Sequence, residues 1–155
     1  MHQSKPYRKC VGLLIINKNN QIFVGKRIDS NLNAWQMPQG GIEPGEDPLV
    51  AGLREMEEEI GTKNVEYLDE INSWLNYDIP PNLSEKLWNG KYRGQTQKWL
   101  AYRFLGKNNE INIKTKNPEF IDWKWENHNN LPKLAVPFKR DTYLKVIAGF
   151  EKYIC

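Results

Sequence analysis

The sequence predicts a layered domain of the α/β or α+β class, built around a mixed β-sheet. Several β-like segments recur along the chain, one amphipathic helix lies between them, and a second closes the chain. The chain has 155 residues, 39% of them hydrophobic and 26% charged, a composition typical of one globular core. No internal repeat or Gly/Ser-rich linker divides it. We therefore expect residues 1–155 to form a single domain.

The first strands are predicted from a hairpin pattern. Residues 10–16 are an apolar run rich in Leu, Ile and Val, and residues 17–20 are a polar turn. Residues 21–27 then return as a second strand. Cys10 opens the first of these strands and is expected to be an inert thiol in the core.

The remaining elements rest on shorter patterns. Further strands are expected over residues 67–74, 99–105 and 120–125. Residues 76–94 contain two prolines and two glycines and are expected to form a long loop. The last sixteen or so residues are expected to form a helix, because four apolar residues share one face: Tyr143, Ile147, Phe150 and Ile154.

The most informative element is a helix between Asp47 and Gly61. Asp47 is a favourable N-cap, Pro48 suits the first helical position, and Gly61 suits the stop. At about 100° per residue, one side of this helix is apolar and is expected to face the core. That side carries Leu49, Leu53, Met56 and Ile60. The opposite side carries three carboxylates beside Ala51 and Gly52: Glu55, Glu58 and Glu59.

The three carboxylates contradict two rules of helix stability. Side chains at i, i+3 and i+4 repel when they carry like charges, and negative charge is unfavourable near a helix C-terminus. A bound cation would remove both problems, and oxygen ligands favour Mg²⁺ or Mn²⁺ over zinc. The alternative is an ordinary acidic helix that faces solvent.

Composition excludes several classes of protein. The longest clean apolar run, residues 11–16, is too short to span a membrane or to form a signal-peptide core. Two cysteines cannot build a disulfide framework, so a reducing, cytoplasmic setting is expected. The net charge of +3 permits an anionic ligand but is not typical of a protein that binds duplex DNA.

Residues 40–62 read GGIEPGEDPLVAGLREMEEEIGT. This segment resembles the Nudix box, G-x5-E-x7-R-E-U-x-E-E-x-G-U, in which U is a bulky apolar residue. The motif positions are filled by Gly40, Glu46, Arg54, Glu55, Met56, Glu58, Glu59 and Gly61. Thr62 departs from the pattern, which expects an aliphatic residue there. The resemblance implies the Nudix α/β/α sandwich, with the box forming a loop–helix–loop.

The same resemblance implies roles for these residues. Glu55, Glu58 and Glu59 would bind divalent cations, helped by the backbone carbonyl of Gly40. Glu46 and Arg54 would hold the loop onto the helix, and Gly41 and Gly61 would be structural. Nudix enzymes hydrolyse a nucleoside diphosphate linked to another group. Their metals neutralise the diphosphate and lower the pKa of a bound water, whose proton a glutamate accepts.

Five further segments, one of them leading into the box, narrow the resemblance to a subgroup. They are Tyr7-Arg8, residues 35–41, residues 95–99, Pro118-Glu119-Phe120 and residues 138–141. Together they resemble the bacterial RNA 5′-pyrophosphohydrolases and the similar (di)nucleoside polyphosphate hydrolases. This subgroup implies that Glu119 reaches the metals as a further ligand or base. The alternative is an ordinary loop acid.

The subgroup also implies substrate contacts, each with a simpler alternative. Arg8, Arg27 and Lys98 would clamp phosphate oxygens, although each could be a solvated charge. Phe138 and Lys139 would stack on a purine, although Phe138 could merely anchor the last helix. Two further residues are expected near the substrate rather than only in a turn or loop: Gln39 and Tyr77. Trp88 lies among basic residues and is a weaker candidate for contact with nucleic acid.

The predicted function is metal-dependent removal of pyrophosphate from the 5′-triphosphate end of RNA, cleavage of dinucleoside polyphosphates, or both. Glu55, Glu59 and Glu119 are the catalytic candidates, and the sequence does not say which is the base. One alternative is a dedicated diadenosine polyphosphate hydrolase. From other classes, a nucleotide- or RNA-binding module without catalysis and a structural metal-binding domain remain open.

Overall fold

The computed structural model describes residues 2–29 and 33–155. Within them, eight strands form one mixed sheet. The strands are β1 (Tyr7–Ile16), β2 (Ile22–Arg27), β3 (Trp35–Gln36), β4 (Gln39–Gly41), β5 (Val65–Glu70), β6 (Leu75–Asp78), β7 (Gly94–Phe104) and β8 (Phe120–Glu126). The helices are α1 (Pro48–Ile60), α2 (Pro81–Trp88), α3 (Leu131–Leu134), α4 (Arg140–Gly149) and α5 (Glu151–Ile154).

The centre of the sheet is the parallel pair β1 and β7, in register from Tyr7–Gly94 to Ile16–Arg103. On its outer side, β7 pairs antiparallel with β5 and β6. On its other side, β1 pairs antiparallel with β4 and meets β2 at the hairpin. Strand β2 in turn carries β3 and β8.

Helices cover both faces of the sheet. Side chains alternate along β1, so that Val11, Leu13 and Ile15 pack toward α1 while Leu14 and Ile16 pack toward α3 to α5. On the second face the Trp99 ring contacts Tyr143, and a β-carbon at Gly12 would overlap that indole. The predicted α/β/α sandwich is therefore confirmed. No helix among residues 2–29 and 33–155 is long and apolar enough to cross a membrane.

The prediction for the inward face of α1 is confirmed for Met56 and Ile60, which are buried, and wrong for Leu49 and Leu53, which are exposed. Gly52 and Glu59 are buried instead. Gly52 lies over Leu100, where its lack of a side chain lets the helix approach the sheet closely. The buried face is thus rotated toward the carboxylates, and it includes one of them.

Four other predicted elements need correction. The expected strand at 67–74 corresponds to β5, which already ends at Glu70, and β6 begins only at Leu75. The expected strand at 99–105 begins earlier, at Gly94. The expected loop at 76–94 contains α2, which starts at Pro81 because proline suits the first helical turn. The expected C-terminal helix is interrupted at Phe150, so that α4 and α5 are separate.

Candidate active site

Local sequence determines where α1 begins and ends. The side chain of Asp47 accepts a hydrogen bond from the backbone N–H of Leu49 at 2.8 Å, and Gly61 adopts the left-handed conformation with φ of 75°. The predicted N-cap and stop are confirmed. Between these points α1 crosses the edge strand β4, and Glu55 lies over Gly40.

The paired glycines of β4 let two charged groups approach the backbone. A β-carbon at Gly40 would overlap the carboxyl group of Glu55, and one at Gly41 would overlap the guanidinium of Arg8. Larger residues here would push both groups away. The two consecutive glycines therefore admit a carboxylate on one face of this edge strand and a guanidinium on the other.

Glu59 is the most unusual group of the site. Its residue is only 4% exposed, and its Oε2 has no hydrogen-bond partner among the described residues. Burial, together with the charges of Glu55 and Glu119, holds its pKa well above the ordinary value. A buried carboxylate without a full set of partners is costly, and a bound cation would reduce that cost.

Glu55 and Glu58 are less buried and share one arginine. Arg54 Nη1 lies 2.9 Å from Glu55 Oε1 and 3.5 Å from Glu58 Oε2. Burial raises the pKa of Glu55, and Arg54 opposes that rise. Glu58 has an exposed side chain, so it lies at the outer rim of the acidic face.

Arg54 also anchors the loop that precedes α1. Its Nε and Nη2 donate to the two carboxylate oxygens of Glu46 at 2.9 and 2.8 Å, and Nη2 also donates to the carbonyl of Gly41 at 2.9 Å. This contact lowers the pKa of Glu46 to about 2. One guanidinium therefore connects the loop, the edge strand and the acidic helix.

A fourth carboxylate reaches the site from the other half of the sheet. Glu119 directly precedes β8, and its Oε2 lies 3.5 Å from Arg27 Nη2. Arg27 makes a two-point contact with Asp29 at 2.8 and 2.7 Å. The charge of Glu119 raises the pKa of both Glu55 and Glu59, as expected for carboxylates that share one region.

These oxygens fit a hard divalent cation. Glu59 Oε2 is an unpartnered acceptor, and the carboxylates of Glu55 and Glu119 lie close enough to raise the pKa of Glu59. In the described chain no group of three or more His, Cys, Asp or Glu is already arranged as a ligand set. Arg54 instead contacts Glu55, and Arg27 contacts Glu119. A bound metal ion would replace these guanidinium groups as the cationic partner of the two carboxylates.

An aromatic pair lies next to the acidic face. The Tyr77 ring centroid is 5.8 Å from that of Phe138, and the Tyr77 hydroxyl accepts a hydrogen bond from Gln39 Nε2 at 3.4 Å. Gln95 and Gln97 extend this hydrogen-bond network. Tyr77 lies in β6, so the prediction that it lies in the long loop is wrong.

The three predicted phosphate contacts differ in their placement. The Arg8 guanidinium lies against Gly41, and no carboxylate of the described residues forms an ion pair with it. Arg27 lies beside Glu119. Lys98 is engaged elsewhere: its Nζ contacts Glu70 at 2.8 Å and donates to two backbone carbonyls. The predicted phosphate contact of Lys98 therefore has no support in the geometry.

The prediction that Lys139 stacks on a base also needs correction. Lys139 is buried, and its Nζ donates to Gln36 Oε1 at 2.9 Å beside a small cavity that Arg27 also lines. Burial and the nearby charge of Arg27 lower its pKa to about 7. Its stem is too enclosed to cover a base, and Tyr77 is the group that faces Phe138.

Several residues of the site escaped the sequence patterns. Asp29 follows Arg27 at the end of a strand, and this spacing alone gives no signal of a contact. Gln95 and Gln97 gave a usable signal, because polar residues alternate in a strand that is otherwise buried. Gln36 could be recognised only from its contact with Lys139.

The sequence model of the NUDIX domain family matches residues 6–146 of this chain. The chain belongs to the Nudix family. The family predicted from the box is thus confirmed. A protein of Rickettsia conorii described as "RNA pyrophosphohydrolase" is 52% identical over 153 residues, which cover 99% of this chain and 95% of the relative. One of Rickettsia typhi with the same description is 52% identical, covering 96% and 92% of the two chains.

Solved Nudix structures share the fold. The E. coli dihydroneopterin triphosphate pyrophosphohydrolase superimposes with a TM-score of 0.68 at 18% identity, covering 93% of this chain and 99% of that one. A C. elegans Ap4A hydrolase gives 0.63 at 17% identity, covering 92% and 98%. At these identities the similarity concerns the Nudix fold alone.

Proposed function

We propose that this Nudix protein removes pyrophosphate from the 5′-triphosphate end of RNA and also cleaves dinucleoside polyphosphates. The observation that carries the proposal is the meeting of Glu55, Glu59 and Glu119 with two arginines beside the aromatic pair of Tyr77 and Phe138. The description of the Rickettsia relatives names RNA as their substrate, and the similarity spans nearly the whole length of both chains.

Nudix hydrolases generally need divalent cations, and we propose Mg²⁺ or Mn²⁺ for this chain. Glu55, Glu59 and Glu119 would hold them together with the carbonyl of Gly40, and Glu58 would contribute from the rim. Bound dications would neutralise the polyphosphate and lower the pKa of the attacking water. The unpartnered oxygen of Glu59 supports this assignment, because a buried acceptor needs a positive partner.

The chain's own residues would position the substrate and move the proton. Arg8 and Arg27 would bind phosphate oxygens, since guanidinium groups suit these anions. Phe138, which is half-buried, would hold the first bases by stacking, and the buried Tyr77 ring would support it from behind. One of the three buried or half-buried carboxylates would accept the proton of the attacking water.

Two broader expectations belong to the same proposal. We propose that residues 1–155 act as one domain, since strands from both ends of the described chain share one sheet with the site between them. We also propose the cytoplasm as the place of action, because both cysteines are free thiols.

The test compares two substrates at equal concentration with Mg²⁺ or Mn²⁺: triphosphorylated RNA and diadenosine pentaphosphate. We expect pyrophosphate release from the RNA, with comparable or lower kcat/KM for the dinucleotide. A large preference for the dinucleotide would instead indicate a dedicated dinucleoside polyphosphate hydrolase. No release from either substrate would contradict the proposal.

A melting curve with and without chelator separates the enzyme from a structural metal protein. We expect chelation to abolish activity while the protein stays folded, because the core lies on both faces of the sheet. Unfolding on chelation would point to a structural metal. If Glu59→Gln left the cellular role of the protein intact, a binding module without catalysis would be the better description.

A further inference from the structure

A second concave surface opens beside the candidate active site. It is a groove of about 580 Å³ between the start of β1, the loop that leads into α1, Trp74 and Tyr92. Along β1, Arg8 leaves the sheet on the same side as Gln95 and Tyr77, whereas Tyr7 and Lys9 leave it on the opposite side. We call this surface, lined by Tyr7, Arg8, Lys9, Trp74 and Tyr92, the lateral groove.

The lateral groove carries positive charge that nothing in the described chain neutralises. Lys9 is exposed and, like Arg8, forms no ion pair with a described carboxylate. Glu46 lies on its wall, but Arg54 already neutralises that carboxylate. Glu43 is the remaining acid of the lining, so the cations outnumber the free acids.

Aromatic rings line the same groove. Trp74 lies between β5 and β6 and is 41% exposed. This exposure is unusual for tryptophan, which is highly buried on average. Tyr92 is supported edge-on by Trp88, at 5.6 Å between ring centroids, and Lys91 Nζ lies 5.3 Å from its ring. The basic and aromatic segment around Trp88, singled out in the sequence, thus reaches the groove through Tyr92.

Arg8 connects the groove to the site. It lines the groove, and its guanidinium lies against Gly41, the neighbour of the glycine beneath Glu55. A chain held at its phosphate end by the site could therefore continue past Arg8 into the groove. Cations with exposed rings along a continuous groove are the combination by which proteins bind single-stranded nucleic acid without reading its sequence.

We propose that the lateral groove binds the unpaired nucleotides that follow the triphosphate-bearing end of an RNA substrate. This inference rests on the proposed function and concerns the nucleotides of the RNA that follow the first bases. The groove would contribute to the binding of long RNA and would leave two-nucleotide substrates untouched. It would make the enzyme prefer RNA over free dinucleoside polyphosphates.

The test measures kcat/KM for two triphosphorylated RNAs with the same first nucleotides, one of two nucleotides and one of about ten unpaired nucleotides. Trp74→Ala and Tyr92→Ala are each expected to lower kcat/KM for the long RNA about five- to tenfold, mainly through KM. The ratio of long to short substrate should fall by the same factor. Lys9→Glu should also reduce the salt dependence of KM for the long RNA.

Matched variants separate the groove from general effects. Tyr67→Ala removes a similarly exposed ring at the far end of the sheet, and Lys63→Glu reverses an exposed charge beyond the end of α1. Both should leave the ratio of long to short substrate unchanged. Circular dichroism of every variant distinguishes lost contacts from lost folding.

The outcomes distinguish this inference from the function on which it rests. If the wild type releases pyrophosphate from neither RNA, the proposed function fails. If it processes both RNAs and the groove variants keep the wild-type ratio, the function holds and the groove proposal is overturned. A protein partner would be indicated if the groove variants lost binding to a protein while their ratio on RNA stayed at the wild-type value, and that result also overturns the proposal.

Discussion

Two clusters of charge lie on either side of Glu55, and they are built in opposite ways. In the first, Arg54 satisfies Glu46 with two hydrogen bonds and donates a third to the Gly41 carbonyl. In the second, Glu59 is buried with an unpartnered oxygen, and Lys139 is buried with a single side-chain acceptor. The first cluster is complete, whereas the second is not.

The difference indicates what each cluster is for. Complete pairing of charged groups stabilises the loop that leads into α1, and it leaves no unpaired group in this cluster for a ligand to bind. Incomplete pairing costs stability and creates affinity for charged ligands, because a buried charge gains most from a new partner. The second cluster is therefore the place where cations and phosphates have the most to contribute.

The largest expected effect comes from Glu59→Gln. We expect kcat to fall about 10³-fold, because a metal-binding or proton-accepting carboxylate is lost. The raised pKa means that Glu59 favours folding below its ordinary value of 4.5, and that this contribution is lost as the pH rises through the higher folded pKa. The metal-free variant should therefore lose less stability than the wild type as the pH rises above 4.5, as measured by chemical unfolding.

The control for Glu59→Gln is Glu57→Gln, the same change at an exposed position of the same helix. It should keep both activity and the wild-type pH dependence of stability. An inactive Glu59→Gln that is also unfolded would contradict the view that this carboxylate is held for function at a cost in stability.

Lys139→Met tests the other incomplete group. The pKa of Lys139 falls from 10.5 to about 7 in the folded protein, so between these values the unfolded chain binds more protons. Wild-type stability should therefore rise with pH across this window, by an amount on the order of a few kcal/mol relative to Lys139→Met. Urea unfolding at several pH values measures the difference.

Lys133→Met provides the comparison, because it removes an exposed lysine from the neighbouring helix. If it reproduced the pH dependence seen for Lys139→Met, the effect would not come from burial. Equal stability curves for the wild type and Lys139→Met would contradict the lowered pKa.

Arg54→Met tests the complete cluster. We expect the free energy of unfolding to fall by about 2 kcal/mol, since a charged donor is removed from Glu46 and from the Gly41 carbonyl. Activity should fall as well, because Glu55 loses the contact that positions it. Arg54→Lys should recover only part of either loss, because lysine lacks the planar fork. Full recovery by lysine would show that charge alone matters.

The smallest effect is expected for Asp29→Asn. Its pair with Arg27 is half exposed and contributes less than about 1 kcal/mol to stability. The substitution should leave stability nearly unchanged and lower KM for triphosphorylated RNA about twofold, because Arg27 becomes free for phosphate. Asp122→Asn is the exposed control on β8, and an unchanged KM for Asp29→Asn would show that the pair does not compete with substrate.

Much of the fold followed from local patterns. The caps of α1 were predicted because each depends on one or two neighbouring residues, Asp47 and Gly61. The inward face of α1 was predicted only for Met56 and Ile60, since a helical wheel counts apolar residues without information on the position of the sheet. Gly52 allowed the close approach that turned Glu59 inward and Leu53 outward.

The site residues also fall into a group that local sequence predicts and a group that it does not. The box identified the acidic helix and the family, because its spacing alone aligns Glu46, Arg54 and the three glutamates. The roles of Lys98 and Lys139 could not be predicted, because a lysine in a strand and one before a helix look alike whether they face solvent, a carboxylate or a buried amide. The structure assigns Lys98 to Glu70 and Lys139 to Gln36.

The amino-acid order by itself determined the family, the layered architecture and the chemistry of hard oxygen ligands, since these depend on periodicity and on spacing along a single helix. Tertiary structure alone decided which charged side chains have a full set of ion-pair or hydrogen-bond partners and which do not. That outcome depends on contacts between distant segments, such as Glu119 with Arg27 and Gln36 with Lys139. Burial is a property of the assembled layers, and no stretch of sequence carries it alone.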